Sequence, residues 1–221
     1  MLVQLSGIKK SYQDGENRLD VLCGVSMDIE KREFVAINGS SGSGKTTLLS
    51  ILGTLLKPDE GNYLLNGTKI NNVNTDHSLI RNKQIGFVFQ DHRLMPQYTV
   101  LENILLPTLA YASQASKHEI YYAHKLMELT RISGISKQYP QTISGGEASR
   151  AAVCRALIMN PILLLADEPT GQLDTENAKN IALLLSEINI NLQTTIVMVT
   201  HSDEISAIAN RILTLKNGVL Q

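Results

Sequence analysis

The sequence predicts an α/β fold, a mainly parallel sheet covered by helices, with an N-terminal antiparallel β subdomain and an inserted helical subdomain. Three observations carry this reading. Beyond residue 145, helical and strand patterns alternate, as they do when parallel strands are joined by helical crossovers. Near the N-terminus, Pro58-Asp59 and Asn66-Gly67 put turn signals around a short apolar strand, which reads as a hairpin. Between these regions, residues 99 to about 132 keep a helical pattern.

Residues 2–6, 21–29 and 34–37 read as strands, and "KTTLLSILGTLL" after Gly44 as a helix, because its leucines and isoleucine recur at helical spacing. "TVLENILL" opens at Thr99 on a Thr-x-x-Glu cap, and Pro107 breaks or ends that helix. A helix over 145–159, a strand over 162–166, a helix over 175–190 and a strand over 195–199 follow. A helix after Ser202, a strand over 211–216 and a turn at Asn217-Gly218 close the chain. The expected organisation is one domain over 1–221, with 1–90 and 161–221 as core plus β subdomain and 91–160 as the helical subdomain.

A chain of 221 residues, 43% of them apolar, can bury a proper core. A net charge of -1 and the absence of a long basic run argue against nucleic acid as a partner. "MLVQLSGIKKSY" alternates as a strand does and lacks the order of a signal peptide. Apolar runs such as "ILLLA" fall far short of the roughly 20 residues that span a bilayer. Cys23 and Cys154 show neither disulfide nor metal spacing, which fits a reducing cytoplasm, and Cys154 is expected to pack as a small hydrophobe.

The chemistry concentrates in three stretches. "GSSGSGKT" (Gly39, Ser40, Ser41, Gly42, Ser43, Gly44, Lys45, Thr46, with Thr47 following) matches the phosphate-loop pattern, with a strand before it and a helix after. Its glycines let backbone N–H groups surround phosphate oxygens, Lys45 neutralises the β and γ phosphates, and Thr46 is placed to ligate Mg²⁺. The match predicts a P-loop NTPase core. "ILLLADEP" is a buried-strand run ending in two acids, of which Asp167 would support Mg²⁺ and Glu168 would orient or deprotonate water. In "SGGE", Ser144 is a good N-cap, while Gly145 and Gly146 expose the first N–H groups of a helix before Glu147. Alone, such a start is also a plain cap. As a second anion site it is most economically used by a head-to-tail pair of chains, each closing over the nucleotide of the other.

Taken together, "GSSGSGKT", "VFQD", "ISGGEASR", "LLLADEP", "GQLD" and "VTHS" resemble, in order and over nearly the whole chain, the nucleotide-binding subunit of an ABC transporter. The resemblance implies ATP and Mg²⁺ as cofactors, with Thr46, Gln90 and Asp167 at the metal. It also implies that Tyr12 stacks on adenine, that Gln90 senses the γ-phosphate, and that Ser144 and Gly146 touch the opposite γ-phosphate. Asp174 would lie in a dimer-contacting loop, and His201 would hold the phosphate beside Glu168. The implied partners are integral membrane permease subunits and, with ATP bound, a second copy of the chain; the implied location is cytoplasmic, peripheral on the inner face of the cell membrane. Permease docking is expected near Gln90 and residues 91–99, including Leu94. The wording between motifs is most similar to the lipoprotein-releasing, macrolide-exporting and cell-division ATPases. Ile143, Glu147, Ala148, Ser149 and Ser202 depart from the commonest family pattern without removing a group assigned to chemistry. The rival readings are a soluble ABC switch and a small P-loop kinase.

Overall fold

A computed structural model describes residues 1–15, 17–72 and 75–221. The chain opens with two long antiparallel strands, β1 (Val3–Asp14) and β2 (Asn17–Ile29), joined to a second hairpin of β4 (Glu60–Leu65) and β5 (Thr68–Lys69) in the order β2-β1-β4-β5. The last eight residues of β2 bury nearly every second side chain, so one face of this sheet is apolar. The turn at Asn66-Gly67 takes left-handed backbone at both positions, φ 48° and 80°, which the asparagine and glycine tolerate.

A six-stranded sheet forms the centre, in the order β10-β9-β3-β8-β7-β6. Its strands are β3 (Phe34–Asn38), β6 (Ile85–Val88), β7 (Leu163–Asp167), β8 (Thr195–Thr200), β9 (Arg211–Lys216) and β10 (Val219–Leu220), and all pairings are parallel except β9 with β10. Successive residues of β3, β7 and β8 serve two different cores. Phe34, Ala36, Leu164, Ala166, Ile196 and Met198 face one side, while Val35, Ile37, Leu163, Leu165, Val197 and Val199 face the other. This explains why these strands read as unbroken apolar runs, since neither face reaches water.

On the first side pack α3 (Val100–Leu105), α4 (Lys117–Leu129), α5 (Gly145–Leu157) and α6 (Thr175–Leu192), with Ile205 of the short α7 (Asp203–Ser206). On the second side lie α1 (Lys45–Leu52), Ile80 of α2 (His77–Gln84) and the apolar face of the antiparallel sheet. Removing a large side chain from either core, as in Leu164→Ala, costs about 2–5 kcal/mol.

One break in the chain was expected and one segment was not. The helical pattern over residues 99–132 is broken at Pro107 as expected: α3 ends at Leu105, a 3₁₀ turn spans Leu106–Ala110, and α4 starts afresh on a Ser116–Glu119 capping box. The segment α2–β6 was not anticipated. β6 is only four residues long and is held by pairing to β7, while α2 is polar apart from its Leu and Ile and rests on an Asp76 cap.

Candidate functional site

Three strands deliver their carboxyl ends to one edge. Asn38 pairs in register with Thr200, and Asp167 with Val199, so β3, β7 and β8 finish nearly level and the loops after them share one crevice.

The loop leaving β3 depends on its glycines. A Cβ at Gly39 would lie 2.4 Å from the Leu215 carbonyl oxygen, and Gly44 caps α1 at φ 102°, where a Cβ would meet Val21 at 3.0 Å. Only glycine satisfies both positions. The Ser43 N–H donates to the Ser40 carbonyl at 3.2 Å and closes the loop around the helix start. Lys45, the first residue of α1, is 6% exposed, and its ammonium donates to the Gly39 and Ser40 carbonyls at 2.8 and 2.9 Å. Among the described residues no carboxylate lies within ion-pair distance of it, so its charge is available to an anion from outside the chain. The buried Ser43 hydroxyl has no hydrogen-bond partner in the protein, which suits a loop that receives ligand oxygens.

Thr46 meets the end of β7, its hydroxyl donating to Asp167 Oδ1 at 3.3 Å. Burial pushes the Asp167 carboxyl above the usual carboxylate range, the penalty expected where a cation would compensate a desolvated charge. This pair fits Mg²⁺ in donor chemistry. Among the described residues no three His, Cys, Asp or Glu side chains converge into a metal cage, so the remaining ligands would have to be phosphate or water oxygens, the usual habit of Mg²⁺.

Glu168 turns off the strand with φ 43°, a conformation that costs a residue with a Cβ on the order of 1–3 kcal/mol. Its N–H still donates to the Val199 carbonyl at 3.0 Å, and its own carbonyl accepts from Gly171 N–H at 3.0 Å. The kink aims the carboxylate at His201, whose Nδ1 lies 3.1 Å from Glu168 Oε2. Both line a crevice of ≈ 360 Å³ together with Thr170, Gly171 and Thr200.

The other expected residues fall into two groups. Tyr12, 43% exposed, stands over the loop with its hydroxyl 3.5 Å from Thr47 Oγ1. Gln90 rests its amide beside Gly171, where an added Cβ would lie 3.1 Å from Nε2. The "SGGE" stretch is placed elsewhere, and among the described residues no hydrogen bond or ion pair joins residues 144–147 to residues 39–47. Ser144 caps α5 in a complete capping box: Glu147 N–H donates to Ser144 Oγ at 3.3 Å, and Ser144 N–H and Oγ donate to Glu147 Oε2, each at 2.8 Å. These bonds hold the Glu147 carboxyl below its usual range. Gly145 and Gly146 lie against Leu173 and Asn177, and Asp174 caps α6, its pKa lowered by bonds from the Asn177 N–H and side-chain amide. Residues 144–147 and Asp174 therefore form a second cluster, on the adjoining starts of two helices.

The segment after Gln90 needs one correction. Leu94 packs against the first core instead of facing outward, whereas Met95 and Tyr98 are exposed. Sequence reasoning missed what holds this segment. Asn103, fully buried on α3, accepts from Met95 N–H and donates to the Met95, Tyr98 and Thr99 carbonyls. Arg155 on α5 donates to the His92 and Arg93 carbonyls, both in left-handed backbone. The only signal in the sequence was a polar residue at an apolar helical position, and it named no partner.

Residues 22–171 match the family model described as ABC transporter. The lipoprotein-releasing system ATP-binding protein LolD of Blochmanniella floridana is 42% identical over 98% of this chain and 92% of its own length. The macrolide export ATP-binding/permease protein MacB of Rhodopirellula baltica is 42% identical over 99% of this chain, which spans 32% of that longer protein. An ATP-binding cassette solved as a dimer in a post-hydrolysis state, bound to ADP and Pi, has a TM-score of 0.90 and 37% identity, covering 100% of this chain and 97% of its own. With a family match across most of the chain, and the phosphate loop, the acid-ended strand and the histidine turn at one sheet edge, the chain belongs to the ABC transporter family as an ATP-binding cassette.

Proposed function

We propose that this chain is the ATP-hydrolysing subunit of an ABC transporter, that two copies close head to tail over two Mg·ATP, and that this closure drives a membrane permease of the lipoprotein-releasing, efflux or mechanotransmitting type. The observation that carries the reading is the convergence of Lys45, Thr46, Asp167, Glu168 and His201 at the ends of three adjacent strands.

In this reading Lys45 and the loop N–H groups bind the phosphates, and Tyr12 receives the adenine. Thr46, Asp167 and Gln90 would hold Mg²⁺, which would supply charge neutralisation at the phosphate oxygens. Glu168 accepts the proton of the attacking water, and His201 holds the γ-phosphate beside it. The Ser144 cap leaves the Gly145 and Gly146 N–H groups for the phosphate held by the other copy. Separation of residues 144–147 from the phosphate loop within one chain supports completion of each site by the second. The dimeric state of the solved cassette supports it too.

Permease docking is assigned to the exposed segment with Met95 and Tyr98 and to the adjoining cleft of ≈ 510 Å³, which Phe87, Phe89, Arg93, Tyr111 and Arg155 line. Among the described residues no helix is long and apolar enough to cross a membrane. The test is a mild-detergent pull-down from the native cell with tagged Glu168→Gln and Mg·ATP. Recovery of a permease with few spans and a large extracytoplasmic domain supports the proposal. Recovery of ribosomes, DNA-repair proteins or the chain alone would contradict the coupling.

A further inference from the structure

His201 owes its position to its backbone. Its ring is 63% exposed, and among the described residues Glu168 is its one hydrogen-bond partner. With so little packed around the ring, the turn that carries it decides where it points. Besides the bonds within α7, two side-chain bonds tie that turn to the strand ends. Ser202 N–H donates to Thr200 Oγ1 at 3.1 Å, and Asp203, the first residue of α7, accepts from Asn38 Nδ2 at 2.5 Å.

Asn38 ends β3, where a fully buried apolar run gives way to an amide lying in register between Thr200 and Thr214. Its Oδ1 accepts the Gly39 N–H at 2.7 Å, the first backbone donor of the phosphate loop. The two bonds fix the amide orientation by chemistry, because the oxygen must face the N–H donor and the nitrogen the carboxylate. One side chain therefore holds both the root of the phosphate loop and the residue two places beyond His201.

We propose that Asn38 is a positioning residue for hydrolysis, bracing the phosphate loop against the His201 turn through Asp203, so that the two halves of the site are set relative to each other. The proposal rests on reading the site as an ATPase. Asn38 touches neither nucleotide nor water in it, and acts through Gly39 and His201.

The test exchanges the roles of the pair. Asn38→Asp keeps an acceptor for the Gly39 N–H but opposes two carboxylates across the brace. Adding Asp203→Asn restores a donor facing an acceptor. Steady-state Mg·ATP hydrolysis and thermal melting are measured for the wild type, the single variant and the double variant. For Asn38→Asp, kcat is expected to fall roughly tenfold, less than the hundredfold that an ångström of misplacement can cost. KM should stay within about twofold, since the loop itself remains intact. The double variant should recover most of the lost kcat. A single variant with wild-type kcat, or a double variant as slow as the single, overturns the proposal, as does a lower melting temperature with kcat unchanged per folded molecule. If Asn38→Asp does not fold, Asn38→Ser, which keeps a short acceptor for Gly39 but cannot reach Asp203, replaces it in the kcat comparison. A wild-type chain without Mg·ATP hydrolysis overturns the ATPase reading and this proposal with it; an active wild type with an unaffected variant overturns this proposal alone.

Discussion

Thr46 Oγ1 and Asp167 Oδ1 lie 3.3 Å apart although 121 residues separate them. One follows the phosphate loop and the other ends β7, so the pair exists only because parallel strands bring their carboxyl ends to a common edge. Burial raises the Asp167 pKa, and a cation between carboxylate and hydroxyl would relieve that penalty. Chelation with EDTA is therefore expected to abolish phosphate release and to restore it on adding Mg²⁺. Thr46→Val should raise the Mg²⁺ concentration for half-maximal hydrolysis by about tenfold, the loss of one oxygen ligand worth about 1.4 kcal/mol. An unchanged Mg²⁺ titration would remove Thr46 from the metal.

Lys45 and Glu168 should fail in different ways. Lys45 carries a buried charge bonded only to carbonyls of the loop, so on the proposed reading Lys45→Ala is expected to weaken ATP binding by about ten- to a hundredfold, measured by titration calorimetry. Glu168→Gln keeps the size and hydrogen-bonding of the side chain but removes the base, and should lower kcat by about 10²–10⁴ with ATP affinity little changed. Near-normal turnover in Glu168→Gln would overturn the assignment of the base.

Position along the chain decided how much of this was legible. The phosphate loop, the apolar strand with its two acids and the "SGGE" helix start are contiguous, so local spacing sufficed to read them, as it did for the Asn66-Gly67 hairpin. The brace from Asn38 to Asp203 joins residues 165 apart, and the hold of Arg155 on His92 spans 63, distances over which spacing carries no information. The break at Pro107 was legible for the same local reason, whereas the appearance of β6 was missed. A four-residue strand is stabilised by its neighbour β7, not by its own pattern. The left-handed turn at Glu168 also left no trace, because glutamate has no special preference for it.

Leu94 and Met95 separate folding from docking. Leu94 is half-buried against the first core and Met95 is 44% exposed. Leu94→Asp is expected to lower the melting temperature, whereas Met95→Asp should melt as the wild type does and lose the permease in a pull-down. Retention of the permease by Met95→Asp would move the docking surface elsewhere.

Asp59 offers a test in pH. Hydrogen bonds from the Lys10 ammonium and from the Ser11 N–H and hydroxyl hold its carboxyl at about 2, below its ordinary 3.8. A depressed acid stabilises the fold above its ordinary pKa, and that contribution is lost as pH falls through the depressed value. Asp59→Asn should therefore melt a little below the wild type at pH 7, and the gap should narrow as pH falls from about 4 toward 2. A gap that widened on acidification would contradict the assigned bonds. Because Ser11 precedes Tyr12, the same contact fixes the strand that presents the aromatic ring to the loop.

The two thiols should differ. Burial pushes the Cys154 thiol up to about 12, while Cys23 is exposed. A thiol reagent at pH 8 is expected to titrate one cysteine in the native protein and both in denaturant. Rapid reaction of both in the native state would contradict the packing of α5.

The central claim is that each nucleotide is enclosed by two chains. The most direct measurement is the mass in solution of Glu168→Gln, by light scattering after gel filtration, with and without Mg·ATP. The account predicts one chain of 24.3 kDa without nucleotide and twice that mass with it, the shift being abolished by Ser144→Arg. A particle that binds Mg·ATP yet keeps the mass of one chain would contradict it.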